Sequence, residues 1–246
     1  MTSVVHSDTY PAIDPAKLNM TNKSVFITGA SRGLGRAIAV SFAKAGASFI
    51  AIGGRSDFTE TTEAIQWGAA SAGRPAPVVM PLRFEMTDPA GVEEAAVKVR
   101  KAFGRVDIVV NNAGLFGTLG KVVDSDQENF RQVIDTNIYG PYLVARAFIP
   151  LMLESGGDRT LLTISSVAAH LVLPGLASYQ ISKLGVLRLT QLLNAEYADQ
   201  GFLAYAVHPG NVKTDMTGTM ENGPPSASIG EFSFYLFFFF FFFYLH

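Results

Sequence analysis

The chain has 246 residues, 48% of them apolar, which is enough for one sizeable core and fits a single domain. Its net charge is −2 with both signs mixed along the chain, which argues against a nucleic-acid partner. The absence of cysteine excludes disulfides and thiol chemistry. The four histidines, His6, His170, His208 and His246, lack metal-ligand spacing, so no metal site is expected.

Residues 1–19 read as an N-terminal extension without the basic start and apolar core of a signal peptide. A cytoplasmic address is therefore expected, and the glycosylation triplets at Asn19 and Asn22 lose their meaning. From there short Val- and Ile-rich runs alternate with helical patterns. Strands are predicted over 24–28, 48–52, 77–82, 106–111, 160–165 and 202–207, and helices over 33–46, 59–72, 89–103, 127–153 and 178–200. Several strands are almost continuously apolar, as strands covered on both faces must be. The expected fold is α/β: a Rossmann-like doubly wound parallel sheet in a single domain.

The first strand-to-helix turn reads TGASRGLG. Gly29, Gly33 and Gly35 stand where small residues let a pyrophosphate approach a helix N-terminus, although glycines also mark ordinary turns. After the second strand the carboxylate that would hold a ribose 2′-hydroxyl is missing, and the chain runs Gly53-Gly54-Arg55. Arg55 and Arg32 could instead pair with a 2′-phosphate, which favours NADP(H) over NAD(H); the alternative is that both are solvated surface charges. The fourth strand ends in NNAG, Asn111 to Gly114, which borders the same crevice or is a simple turn.

The fifth strand releases Ser165 and Ser166, and the following helix carries Tyr179 and Lys183 on one face, four residues apart. A fixed cation beside a phenol stabilises the phenolate, so Lys183, joined by the positive nicotinamide of an oxidised cofactor, is expected to lower the pKa of Tyr179. A lone Tyr-x-x-x-Lys pair is more often a helix face with a snorkelling lysine.

In combination TGASRGLG, NNAG, DTNIYG, the serine pair, YQISK and HPGNVKTDM closely resemble the short-chain dehydrogenase/reductase family over about residues 20–217. The resemblance implies that Tyr179 is the catalytic acid/base, that Lys183 tunes it and binds the nicotinamide ribose, and that Ser166 orients the substrate oxygen. It further implies that Asn137 holds a water in a proton relay. Gly29, Ser31, Arg32, Gly33, Leu34 and Gly35 would line the cofactor turn. Asn111, Ala113 and Gly114 would lie beside the adenine ribose, and Pro209, Gly210, Val212 and Thr214 at the nicotinamide end. Where the family often has Asp-Val after the third strand this chain has Glu85 and Met86. The implied reaction interconverts a carbonyl and a secondary alcohol on a small substrate. The apolar segment AAHLVLPGLAS suggests that this substrate has a hydrophobic face.

Residues 218–246 depart from the family's pattern. They end in an aromatic run at 232–245 too short to cross a bilayer, and the expected last strand is missing. Three readings follow: an active oxidoreductase, a nucleotide-binding form impaired in turnover, and a protein that touches a membrane through 232–245. A homo-oligomer is left open.

Overall fold

The computed structural model describes residues 13–210 together with Val212 and Thr214. The expectations placed on 1–12 and 218–246, including the aromatic run, lie outside the described residues.

Six strands, β1 (Ser24–Thr28), β2 (Phe49–Gly54), β3 (Val78–Arg83), β4 (Ile108–Asn111), β5 (Thr160–Ile164) and β6 (Leu203–Val207), form one parallel sheet in the order β3-β2-β1-β4-β5-β6. The strand period of two sends alternate residues to opposite layers. Val25 and Ile27 of β1 join Ile38 and Phe42 of α1 (Gly33–Lys44) and Ile65 of α2 (Thr59–Ser71). Phe26, between them, faces the other way toward α3 (Pro89–Phe103) and stacks on Phe148 with ring centroids 4.3 Å apart. All five residues of β1 are buried, and each large side chain so removed from water stabilises the fold by about 1.5–3 kcal/mol.

Local chemistry sets the helix ends. Asp88 accepts from the amides of Ala90 and Gly91 at the start of α3, and Asp126 does the same for Glu128 and Asn129 at α4 (Gln127–Ile134). At α1 the N-cap position is Arg32, which makes no such side-chain bond. The helix predicted over 127–153 is interrupted: after α4 come a π-helical turn at Asp135–Tyr139 and then α5 (Gly140–Ser155). The cause is Pro141, which has no N–H to give the carbonyl of Asn137 four residues earlier. The last helix, α6 (Ala177–Tyr197), packs on β6, which forms the sheet edge among the described residues.

At the amino ends of the strands, opposite the glycine turn, Asp107 is fully buried. It accepts from the Ser24 amide at 2.9 Å and from Arg105 Nε at 3.0 Å, with Lys23 Nζ at 3.7 Å. Burial pushes its carboxyl up, but the hydrogen bonds from Arg105 and Ser24 outweigh burial and hold it below the ordinary 3.8. A depressed folded pKa stabilises the protein above 3.8 and loses that contribution as pH falls through the folded value. Asp107→Asn is expected to cost about 2 kcal/mol at neutral pH, with the gap from wild type narrowing in strong acid. Urea unfolding of both proteins across that pH range checks this; a gap independent of pH would contradict it.

Candidate active site

The two glycine-rich turns meet at the carboxyl ends of β1 and β4. Gly29, at φ +65°, lies so close to the next turn that a Cβ there would stand 2.7 Å from the Cα of Ala113. Gly35 is as tightly held, since its Cβ would meet the Gly29 carbonyl at 2.3 Å and Asn112 Nδ2 at 2.5 Å. Gly33 differs. Its φ of +55° favours glycine, and among the described residues a Cβ there would make ordinary contact with Thr214, at 3.7 Å from Cγ2.

The turns are joined by residues outside the sequence-predicted set. Asn112 Nδ2 donates to the carbonyls of Thr28 and Gly29 at 2.9 and 3.0 Å, and the amides of Asn112 and Ala113 both donate to Thr28 Oγ1 at 3.1 Å. Arg36 Nη2 donates to the Ser31 carbonyl at 2.6 Å, and Thr61 Oγ1 to those of Ala30 and Ser31 at 3.0 and 3.1 Å. The signal for Asn112 was present in the doubled asparagine of NNAG. Arg36 and Thr61 had none, because α1 and α2 give no local reason to meet. Asn111, the neighbour assigned to the cofactor, ends β4 buried, with Oδ1 lacking a hydrogen-bond partner.

Of the remaining cofactor residues, Leu34 packs against the core beside Ile38, and Val212 is buried in the same cluster. Pro209 is half-buried after β6, and Gly210 follows at φ +78°. Arg32 is exposed at the start of α1. Arg55 follows Gly54, whose Cβ would lie 3.9 Å from Gly29, so it stands at the rim of the same turn. It is not isolated: Glu85 Oε2 lies 3.6 Å from Arg55 Nη1, both side chains being exposed.

A second polar group forms beyond β4 and β5. Lys183 is buried on α6 and its Nζ donates to the Ile164 carbonyl at 2.8 Å. Asn137, buried in the π turn, accepts from the Leu115 amide at 2.7 Å and donates to the Leu115 carbonyl at 2.8 Å and to Ser182 Oγ at 2.9 Å. Gly114 is the point of contact, since a Cβ there would lie 3.2 Å from Asn137 Oδ1 and 3.7 Å from Lys183 Nζ. The two serines separate: Ser166 hydrogen-bonds the Tyr179 phenol, whereas Ser165 Oγ donates to the Lys183 carbonyl at 3.1 Å.

In the chain by itself, burial sets the electrostatics of the phenol. Burial pushes the Tyr179 phenol above its usual value, and the hydrogen bond from Ser166 only partly offsets this. Lys183 does not reverse the sign, because its ammonium lies 5.6 Å from the ring centroid and is itself desolvated, its pKa falling to about 8. The phenol is therefore protonated across the neutral range. Among the described residues no cluster of three or more His, Asp or Glu suits a metal, and no helix is long and apolar enough to cross a membrane.

A family described as short chain dehydrogenase matches residues 23–224. The Monascus ruber protein named short chain dehydrogenase pigC is 51% identical over 218 residues, covering 89% of this chain and 72% of its own. Short chain dehydrogenase tazN of Aspergillus terreus is 48% identical over 227 residues, 92% of this chain but 49% of tazN, so the chain spans about half of that relative. Among solved structures, carveol dehydrogenase from Mycobacterium avium in complex with NAD superposes with a TM-score of 0.73 at 25% identity, covering 82% of this chain and 75% of that one. Alcohol dehydrogenase from Thermococcus sibiricus, complexed with 5-hydroxy-NADP, gives 0.72 at 28% identity, covering 86% and 87%.

Gly29 and Gly73 have nearly the same backbone, φ +65° and +66°, but a Cβ at Gly73 meets nothing within 4 Å. Replacing each with alanine isolates the effect of the close approach. Gly73→Ala is expected to cost about 1 kcal/mol from backbone strain alone. Gly29→Ala should cost several-fold more and weaken dinucleotide binding as well. Thermal unfolding and fluorescence titration of both variants check this; equal losses would contradict it.

Proposed function

The chain belongs to the short-chain dehydrogenase family, and on that footing we propose that it is an NADP(H)-dependent oxidoreductase interconverting a carbonyl and a secondary alcohol on a small apolar substrate. The observation that carries the proposal is the convergence of Ser166, released where β5 ends, on the Tyr179 phenol, with Lys183 buried on the same face of α6.

The residues around the glycine turn suit a dinucleotide. The start of α1 carries no side-chain cap and no acidic residue in its first turn, and Gly33 enters it at a positive φ of +55°. Gly29, Ser31, Arg32, Gly33, Leu34 and Gly35 would hold the pyrophosphate side, and Ala113 and Gly114 would border the adjoining ribose. Pro209, Gly210, Val212 and Thr214 would lie toward the nicotinamide. Arg32 and Arg55 favour a 2′-phosphate, which would draw Arg55 from an exposed and therefore weak pairing with Glu85. When bound, the cofactor supplies the hydride for reduction or accepts it in oxidation.

The chain's own residues account for the proton. In reduction the substrate oxygen sits against Ser166 and Tyr179, the carbonyl carbon gains hydride, and the Tyr179 hydroxyl gives its proton to the oxygen. The phenolate left behind is stabilised by the Lys183 ammonium, which carries its proton below about 8. Asn137 holds the Leu115 segment beside Lys183. An apolar rim supports the substrate class. Leu119, Val122 and Val123 lie exposed on one loop and Leu171, Val172 and Leu173 on another, the loops being joined by a hydrogen bond from the Gly120 amide to the Gly175 carbonyl.

Tyr179→Phe is expected to reduce carbonyl turnover by about a thousandfold or more while dinucleotide affinity stays within about twofold. Steady-state kinetics with a screened carbonyl substrate, paired with cofactor titration, tests this, and retained turnover would remove Tyr179 from its role. Reduction should fall as pH rises past about 8, where Lys183 loses its proton. NADPH should bind at least about tenfold more tightly than NADH, through charge-assisted bonds from the arginines. Equal affinities in a fluorescence titration would sink the arginine argument.

A further inference from the structure

Phe116 lies two residues beyond Gly114, and its ring sits 4.8 Å from that of Tyr179, tilted by 47°. The backbone that carries it is unusually constrained for a loop. Asn137 grips both polar groups of Leu115, the residue immediately before, at 2.7 and 2.8 Å. The remaining Asn137 amide hydrogen goes to Ser182 Oγ at 2.9 Å. Ser182 gives its own proton to the Tyr179 carbonyl at 2.7 Å, so it meets Asn137 as an acceptor, and this sets which way the Asn137 amide points. Immediately after Phe116, Gly117 turns the chain at φ +82°, where a Cβ would stand 2.7 Å from Val133 Cγ2. Phe116 is thus held from both sides, by a network that begins on the same helix turn as the phenol.

We propose that Phe116 is a positioning residue for the reaction: its ring walls one side of the Tyr179 phenol, aligns it with Ser166 and keeps water from it. The proposal rests on Tyr179 as the proton donor. A tilted aromatic contact restricts the phenol to the direction in which Ser166 bonds it, and it removes solvent that would otherwise stabilise the phenolate. Burial is the largest influence on this phenol and raises its pKa, so the ring's share of that burial is readable in the titration, while its help to reduction comes through alignment with Ser166. The groups facing Tyr179 are consistent with that. Ser166 offers a hydroxyl, Lys183 an ammonium 5.6 Å from the ring centroid, and the Gly114–Gly117 loop carries no titratable side chain. Asp135 of the π turn faces Arg131 at 3.5 Å, and His170 lies exposed.

The test uses the full chain with Phe116→Leu, which keeps an apolar side chain but removes the ring, and Phe116→Tyr, which keeps the ring. The Tyr179 titration in Phe116→Leu is read from phenolate absorbance, as the difference from the same protein carrying Tyr179→Phe. Its midpoint is expected to fall by about one unit, and single-turnover reduction by about tenfold, with KM within about twofold of wild type. Phe116→Tyr, judged by turnover alone, should stay near wild type. An unmoved midpoint in Phe116→Leu overturns the proposal, as does equal impairment of both variants, which would mark Phe116 as merely structural. Turnover retained in Tyr179→Phe would remove the proton-donor reading instead. The midpoint is measured without turnover, so the two failures are separable.

Discussion

The close approach of the turns after β1 and β4 is the constraint on which the rest of the molecule depends. These strands are neighbours in the sheet although β2 and β3 lie between them in the chain, so the order reverses there and a crevice opens above their carboxyl ends. Its floor is set by atoms that are missing. Without side chains at Gly29 and Gly35, Asn112 can bond the carbonyls of Thr28 and Gly29 while α1 starts directly against the strand end. Each of those hydrogen bonds contributes about 1 kcal/mol, but together they fix where a ligand would meet backbone rather than side chain.

The second half of the site is built on a compromise between burial and charge. Lys183 is desolvated far enough to bring its pKa to about 8, yet its Nζ keeps one carbonyl partner at Ile164. That carbonyl comes from the end of β5, so one contact both offsets part of the desolvation cost and ties α6 to the strand that releases Ser166. The interruption ahead of α5 serves the same region. Pro141 breaks the hydrogen-bond ladder at the turn that delivers Asn137, and Asn137 spends its whole amide on Leu115 and Ser182.

The opposite end of the sheet carries a comparable polar knot around the buried Asp107. Asp107 gathers Ser24, Arg105 and Lys23 under the amino ends of β1 and β4, and holds the two strands in register at the far side from the crevice. Two strands pinned below and joined through glycine turns above give a rigid mount for a site assembled from loops.

Much of this architecture was legible without coordinates, because its causes are local. Apolar runs of strand length, glycines at a strand-to-helix turn and a tyrosine four residues before a lysine depend only on chain period and on residue size. The break at Pro141 was also legible in NIYGPY, but the prediction of one helix over 127–153 passed over it. Contacts between distant segments were decided by the tertiary structure alone. Asn112 meets Thr28 across 84 residues and Asn137 meets Leu115 across 22, and no local pattern marks either pair. The same holds for Phe116 against Tyr179 and for the different bonding of Ser165 and Ser166. The direction of the phenol's pKa shift belongs here too. Sequence places a cation one helical turn away and implies a lowering, whereas the sign depends on how much water the fold removes, and burial outweighs the rest.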